Sequence, residues 1–177
     1  MEILHSVSAP SANVSIRLAR SSDVEDIAAA FRDSAEYHKA LDPDLYVVPD
    51  THEMAIAFAD KVGSPDSVIF VAEATGHVVG FVEVNLRPPG PGPSMIRPHV
   101  AATVGITVRT GHRRQGIGTR LMQAAAEWAV SRGAEALLLD CHVANVGAIR
   151  FYERLGYQPQ GLIMRRRLEQ PSPDLGR

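Results

Sequence analysis

Four residues within a six-residue stretch, Arg113, Arg114, Gly116 and Gly118, make this part of the sequence well suited to binding an anion. Guanidinium groups match phosphate oxygens in charge and geometry, and glycines allow a ligand to lie directly on the backbone. The composition therefore predicts a phosphate-binding loop.

The elements on either side of the loop agree with this prediction. Residues 101–108 are apolar and largely β-branched, as in a buried strand, and apolar residues recur at helical spacing from Ile117 until Gly133. The first N–H groups of a helix lack partners within the helix, and the helix dipole is positive there, so this end stabilises an anion. The loop has neither the ending of a nucleotide P-loop nor the spacing of a dinucleotide site. From the loop alone, a plain strand-to-helix turn is the alternative.

A second segment has the pattern of a short capped helix, with Asn145 as its N-cap and Gly156 as its C-cap. Its pattern, Asn-x-x-Ala-x-x-Phe-Tyr-Glu-x-x-Gly-Tyr over 145–157, is similar to one signature of the GNAT superfamily of N-acetyltransferases. The earlier pattern Arg-x-x-Gly-x-Gly over 113–118 resembles the acyl-coenzyme A signature of the same family. The two signatures stand in the family's order and at its interval.

The resemblance covers about residues 15–168 and implies a single α/β domain. That domain has a mixed, mostly antiparallel, twisted sheet with helices on both faces. Residues 1–14 and 169–177 have the composition of a flexible N-terminal segment and a disordered tail. The predicted strands are 16–20, 68–73, 78–84, 101–108 and 136–141.

The resemblance also implies that acetyl-coenzyme A is the co-substrate and that no metal is needed. The loop would bind the pyrophosphate, and the backbone of the fourth strand would position the thioester, because the family separates this strand from the fifth. Asn145 either contacts the pantetheine arm or only caps its helix. The residues expected to bind the cofactor are Ile106, Thr107, Val108, Arg113, Arg114, Gln115, Gly116, Ile117, Gly118, Thr119 and Asn145.

Acyl transfer needs a proton for the departing thiolate. Tyr152 occupies the position of the family's usual tyrosine, and a tyrosine with a reference pKa near 10 is a neutral proton donor at pH 7. We therefore expect Tyr152 to be the general acid. The alternative is that its ring only packs against the coenzyme.

An ammonium acceptor must also lose a proton before it can attack. Many relatives place a glutamate on the fourth strand, but residues 98–106 contain no carboxylate. Glu83 on the preceding strand is the nearest substitute for this base, although an exposed strand face explains it equally well. His142 and His99 are further candidates, and a chain of water molecules would also serve.

Composition limits the classes of function. With 177 residues and 45% hydrophobic residues, the chain is long enough for one well-packed domain. A net charge of −2 gives no reason to expect nucleic acid as a partner. We expect a cytoplasmic protein that does not bind membranes, because the sequence shows neither a secretory signal nor a spanning segment. The single cysteine, Cys141, reads as a small core residue rather than a nucleophile.

The acceptor is expected to be a small-molecule amine or a peptide N-terminus. Glu36, Asp42 and Asp44 either attract such a cation or form an ordinary solvated face. The proline- and glycine-rich loop over 86–99 is interpreted as a lid, a homodimer contact or a hairpin tip without a role. A non-catalytic acyl-coenzyme A sensor of the same fold and a nucleotide-binding protein are the alternative functions.

Overall fold

The computed structural model describes residues 14–90, 95 and 97–167. The predictions for residues 1–14 and 169–177 therefore concern residues that lie outside the described part of the chain, with the exception of Val14. The centre of the 86–99 loop also lies outside the described residues. The described residues form five strands and four α-helices. The strands are β1 (Ser15–Leu18), β2 (Ser67–Ala74), β3 (His77–Arg87), β4 (Ala101–Val108) and β5 (Ala136–Leu138). The helices are α1 (Val24–Leu41), α2 (Thr51–Ala59), α3 (Ile117–Ser131) and α4 (Val146–Arg154).

The strands form one sheet in the order β1-β2-β3-β4-β5. Neighbouring strands are antiparallel except for β4 and β5, which are parallel. That parallel pairing ends at Thr103 and Leu138, so β4 continues from Val104 to Val108 without β5 beside it. The divergence of the two strands leaves a strand edge open in the middle of the molecule.

Helices cover both faces of this sheet and divide the core into two parts. Leu121 of α3 packs with Val82 and Val84 of β3 on one side, called here the α3 face. On the opposite side, the α1–α2 face, Ile27 and Phe58 pack with Phe81. Alternate residues of a strand point to opposite faces, which explains this division. The predicted mixed, mostly antiparallel sheet with helices on both faces is confirmed.

Helix α2 has no counterpart among the sequence predictions. The Asp50 carboxylate caps it by accepting hydrogen bonds from the backbone N–H groups of His52 and Glu53, at 2.9 and 3.1 Å. Residues 54–59 are all apolar, so no helical alternation of polar and apolar residues marks this helix in the sequence. An aspartate followed three residues later by a glutamate was the available signal, because this spacing favours a helix N-terminus.

The predicted strands differ from the structure mainly at two ends. Strand β3 extends to Arg87, beyond the expected residue 84, and β5 ends at Leu138 although the apolar run continues to Cys141. An apolar run predicts burial, whereas the end of a strand depends on where its neighbour diverges. Within the described part of the chain, no helix is long and apolar enough to cross a membrane.

An ion-pair network fixes the start of α1 to the sheet edge. The Arg17 guanidinium donates hydrogen bonds to both carboxylate oxygens of Asp23, at 2.7 and 2.9 Å, and another to Glu73 at 2.6 Å. Asp23 also accepts the N–H of Arg20 at 2.7 Å. The hydrogen bonds from Arg17 hold the pKa of Asp23 below its usual value. The charged carboxylate therefore contributes to the stability of this corner.

Candidate active site

The predicted phosphate-binding loop contains two residues with left-handed backbone conformation. Arg114 has a φ angle of 63°, and Gly116, the N-cap of α3, has one of 76°. The N–H of Arg120 donates to the carbonyl of Gly116 at 3.2 Å. Among the described residues, the N–H groups from Arg114 to Thr119 have no acceptor within hydrogen-bonding distance. These donors lie at the positive end of the helix dipole, an arrangement that suits a phosphate group.

The two glycines of this loop serve different purposes. A Cβ atom on Gly116 would meet no described atom within 4 Å, so its positive φ angle is the reason for glycine. A Cβ atom on Gly118 would lie 3.1 Å from Cζ of Phe151 in α4. Gly118 therefore allows α4 to pack closely against the first turn of α3. Direct contact of both glycines with a ligand stays a prediction.

The side chain of Arg113 lies against the end of β4. Its Nε donates a hydrogen bond to the backbone oxygen of Val108 at 2.9 Å. Its guanidinium lies 5.7 Å from the centre of the Tyr37 ring. Arg113 thus connects the loop with the open strand edge and with α1. A contact between this side chain and a phosphate stays a prediction; the hydrogen bond to Val108 uses only Nε and leaves the Nη donors of the guanidinium available.

The open edge of β4 contains the three strand residues expected to position the thioester, Ile106, Thr107 and Val108. They lie beyond the last residue paired with β5. A cavity of about 440 Å³ opens beside the point where the strands diverge. The residues that line this cavity are Arg87, Pro88, Thr103, Val104, Leu138, Leu139 and Asp140. A second cavity, of about 260 Å³, lies between α3 and strands β1 and β2.

Tyr152 lies on α4 and packs against the α3-face core. Its ring centre is 5.8 Å from that of Tyr157. Burial, with smaller contributions from Cys141 and Tyr157, raises the pKa of Tyr152 to about 12. The hydroxyl is therefore protonated throughout the neutral pH range. Burial also raises the pKa of the Cys141 thiol, which disfavours a thiolate nucleophile.

Glu83 points to the α1–α2 face, because it alternates with Val82 and Val84 on β3. Its strand partner on β4 is Gly105, which is exposed and where a Cβ atom would meet no described atom within 4 Å. The carboxylate is partly buried and accepts hydrogen bonds on Oε1 from two other side chains of this face. The donors are Lys61 Nζ at 2.6 Å and Asn85 Nδ2 at 2.7 Å.

The two histidines considered as bases have other partners. The backbone N–H of Ala144 donates to Nδ1 of His142 at 3.2 Å, and Nε2 lies 3.7 Å from Asp42 Oδ2. In a neutral ring the proton then resides on Nε2, so no nitrogen lone pair is available to a substrate. A ring nitrogen of His99 lies 2.8 Å from the carbonyl oxygen of Arg97, just before β4. The contact of His142 disfavours it as a base, whereas His99 keeps the lone pair of its other ring nitrogen, so the choice of Glu83 over His99 stays a prediction.

Asn145 caps α4 as expected, because its Oδ1 accepts the N–H of Ala148 at 3.2 Å. The Tyr37 hydroxyl also donates to this oxygen at 3.4 Å. The contact joins α1 to α4 across the open end of β4. A further contact between Asn145 and pantetheine stays a prediction.

The acidic residues expected near the acceptor are paired with cations of this chain. Glu36 pairs with Arg32 at 3.1 Å, and Asp42 pairs with Arg165 at 3.2 Å. Asp44 pairs with Arg167 at 2.8 Å. Within the described ranges, no three metal-ligating side chains of the His, Cys, Asp or Glu type are grouped closely enough to hold a metal ion.

The sequence interpretation gave no role to Gly105, Lys61 or Asn85. A glycine within a strand is a signal for open space or close approach, and it could have identified Gly105. Lys61 lies 22 positions before Glu83 and carries no local signal for this contact. Asn85 directly follows the predicted strand 78–84 and continues its alternation. In such a pattern a polar residue is expected on an exposed face, so it carries no signal for a role in a site.

The open strand edge, the unpaired N–H groups of the loop and Tyr152 lie on a single α/β domain with a GNAT-like arrangement of five strands and four helices. The chain belongs to the acetyltransferase (GNAT) family, whose model matches residues 34–157. The resemblance found in the two sequence motifs is thereby confirmed, and the protein is placed among the N-acetyltransferases.

Individual relatives agree with this family. An uncharacterised N-acetyltransferase, YhfO of Bacillus subtilis, is 28% identical over 145 residues, which are 82% of this chain and 90% of YhfO. The acetyl transferase GW6a of Oryza sativa is 34% identical over 104 residues. That match covers 54% of this chain but only 25% of the rice protein.

Solved structures show the same fold. A mutant of the BH1408 protein of Bacillus halodurans has a TM-score of 0.81 at 21% identity, covering 88% of this chain and 99% of that one. The aminoglycoside N-acetyltransferase AAC(6')-Iy, solved in complex with CoA, has a TM-score of 0.65 at 18% identity. This second match covers 93% of this chain and the whole of the other.

Proposed function

We propose that this protein transfers the acetyl group of acetyl-coenzyme A to a primary amine by direct attack. Tyr152 is the general acid of this proposal and Glu83 the general base. The observation that supports it best is the divergence of β4 from β5 after Thr103, which leaves the edge of β4 from Val104 to Val108 open. The divergence opens the sheet at one point to ligands from both faces.

Donor binding follows from the backbone. The unpaired N–H groups from Arg114 to Thr119 are suited to the pyrophosphate, with charge from Arg113 and Arg114. The pantetheine arm is an amide chain, so the open edge of β4 from Ile106 to Val108 offers it backbone hydrogen-bonding partners. No metal is required for either contact.

The acid and the base of this proposal lie on opposite faces of the sheet. Tyr152 packs with the α3-face core, whereas Glu83 lies on the α1–α2 face beside Gly105. A thioester held in the gap between the strands can therefore be approached by the amine from one side. Its sulfur leaves toward the other side. This separation prevents the two groups from exchanging their proton directly.

The proton and bond changes balance without a further reactant. Glu83 takes a proton from the ammonium, and the neutral nitrogen forms a bond to the carbonyl carbon. Collapse of the tetrahedral intermediate breaks the carbon–sulfur bond, and Tyr152 donates its proton to the sulfur. The second nitrogen proton returns to Tyr152 through solvent. The net products are the acetylated amine, coenzyme A and one proton.

An acceptor screen tests the proposal. Acetyl-coenzyme A is mixed with the protein and an aminoglycoside, spermidine, lysine or a short peptide with a free N-terminus, and thiol release is measured. At least one amine is expected to increase release above the rate without protein. Absence of release with every amine, in a protein that binds acetyl-coenzyme A, would instead support the non-catalytic sensor.

The base is tested with the best amine from this screen. Glu83→Gln should lower kcat/KM by roughly a hundredfold, the lower end of the contribution of a general base. Glu53→Gln is the matched control, because Glu53 is exposed on α2. Wild-type kcat/KM in Glu83→Gln would remove Glu83 from the mechanism and leave a water chain as the base.

A further inference from the structure

We infer that Lys61 and Asn85 are positioning residues that keep the Glu83 carboxylate aimed at the acceptor. This inference rests on the proposed function, because it gives Glu83 the role of base. Neither residue contacts the acceptor in this account. Both act through the carboxylate oxygen to which they donate hydrogen bonds.

The geometry divides the carboxylate into an occupied and an available oxygen. Lys61 Nζ and Asn85 Nδ2 both donate to Oε1, at 2.6 and 2.7 Å. No side chain or backbone donor of the described residues lies within hydrogen-bonding distance of Oε2. Two donors on one oxygen restrict rotation of the carboxylate, and Oε2 keeps its lone pairs for an ammonium or a water molecule.

The opposite strand leaves room for an acceptor at this carboxylate. Gly105 is the β4 partner of Glu83, and Ile69 is its β2 partner. The apolar Ile69 is buried, whereas Gly105 is exposed and has no side chain. Access to the carboxylate is therefore expected from the β4 side, where the sheet opens.

Lys61 is itself held in place by the backbone. The buried Ser67 hydroxyl donates to the Lys61 carbonyl at 3.2 Å, and the N–H of Lys61 donates to the carbonyl of Phe58 at 3.1 Å. The ammonium also lies 5.8 Å from the centre of the Phe58 ring. The backbone of Lys61 is thus fixed in the turn after α2, and its side chain reaches Glu83 from there.

The two donors to Glu83 differ in charge. Lys61 is a charged donor, Asn85 and Gly105 are neutral, and Arg87 follows on the same strand face toward solvent. A hydrogen bond from a charged donor is stronger than one from a neutral donor. Loss of Lys61 should therefore free the Glu83 carboxylate more than loss of Asn85.

The test measures kcat and KM for the best amine of the acceptor screen at saturating acetyl-coenzyme A. Lys61→Met should lower kcat by about tenfold, whereas Lys61→Arg, which keeps a charged donor, should retain most of it. Asn85→Ala should lower kcat by a smaller factor, because it removes a neutral donor. Lys39→Met is the matched control, since Lys39 is exposed on α1 and should leave kcat unchanged.

A second measurement needs no acceptor. The protein is labelled with ¹³C at the glutamate carboxyl groups, and the Glu83 resonance is assigned by its loss in Glu83→Gln. Its chemical shift should change in Lys61→Met and stay in place in Lys39→Met, because only the first substitution removes a donor from the carboxylate. Melting temperature and acetyl-coenzyme A affinity, measured on every variant, should stay near wild type and so separate positioning from misfolding.

The outcomes distinguish this inference from the proposed function. If Glu83→Gln is impaired but Lys61→Met leaves both kcat and the Glu83 resonance unchanged, the positioning role is wrong and the base stands. If Glu83→Gln keeps wild-type kcat/KM, the base assignment fails and the inference fails with it. A lower kcat in Lys61→Met but not in Lys61→Arg, together with an impaired Glu83→Gln, supports both.

Discussion

Gly118 of α3 lies directly against the ring of Phe151 in α4: a Cβ atom on this glycine would be only 3.1 Å from Cζ. Gly118→Ala should therefore displace the ring and disturb the first turn of α3. We expect it to lower the free energy of unfolding by about 1 kcal/mol, as overpacking of a core contact does, and to weaken acetyl-coenzyme A binding. Thermal unfolding and calorimetric titration with acetyl-coenzyme A measure the two effects.

A second substitution identifies the cause. Phe151→Leu removes the atom nearest to the new methyl group, so Gly118→Ala should cost less stability in that background. Gly116→Ala should show no such rescue, because its cost arises from the positive φ angle. Gly111→Ala is the control, since a Cβ atom there meets no described atom within 4 Å. Equal costs of Gly118→Ala in both backgrounds would exclude the Phe151 contact as the cause.

Replacing Tyr152 by phenylalanine removes the proposed acid while keeping its ring. Tyr152→Phe is expected to lower kcat by roughly a hundredfold and to leave acetyl-coenzyme A affinity within about twofold, because the hydroxyl acts on the departing thiolate. Steady-state kinetics and equilibrium binding separate these quantities. Tyr157→Phe, a neighbouring buried tyrosine, should retain kcat. An unchanged kcat in Tyr152→Phe would limit Tyr152 to packing.

The protonation state of Tyr152 can be measured directly. Burial raises its pKa to about 12, so its phenol should ionise well above the reference value near 10. Ultraviolet titration of tyrosinate in wild type and Tyr152→Phe should differ by one tyrosine with a midpoint near pH 12. Tyr157 also has a pKa raised to about 12, so the difference must be taken between these two proteins. A difference centred near pH 10 would contradict the buried, protonated donor.

Asp23 should make stability dependent on pH at the acidic end. Its pKa is lower in the folded than in the unfolded chain, so its contribution is present above about pH 4 and is lost as pH falls through the folded value. Asp23→Asn should lower the free energy of unfolding by about 2 kcal/mol at pH 7. The difference from wild type should shrink between pH 5 and pH 2. Urea denaturation across this range measures it.

The exposed Asp66 provides the comparison for this series, because Asp66→Asn removes a carboxylate without removing an ion pair of the described structure. Its unfolding free energy should follow wild type at each pH. A stability loss in Asp23→Asn that stayed constant down to pH 2 would show that hydrogen-bond geometry, rather than the charge of Asp23, stabilises this corner.

Features carried by short stretches of sequence were predictable. The strand 101–108, the start of α3 at Ile117 and the Asn145 cap follow from hydrophobic period, glycine placement and capping chemistry, and the structure contains all three. Helix α2 was missed because residues 54–59 are all apolar and show no helical alternation of polar and apolar residues. The end of β5 was misplaced because an apolar run does not show where two strands separate.

The sequence by itself determined the glycine-rich loop before α3, proposed here to bind phosphate, and the place of Tyr152 on α4, because adjacent residues build both. Tertiary structure alone decided the surroundings of the proposed base. The contact of Lys61 with Glu83, the pairing of Glu83 with Gly105 and the bond between Tyr37 and Asn145 join residues distant in the chain. Such contacts depend on strand register and helix packing, for which no local pattern of residues carries a signal.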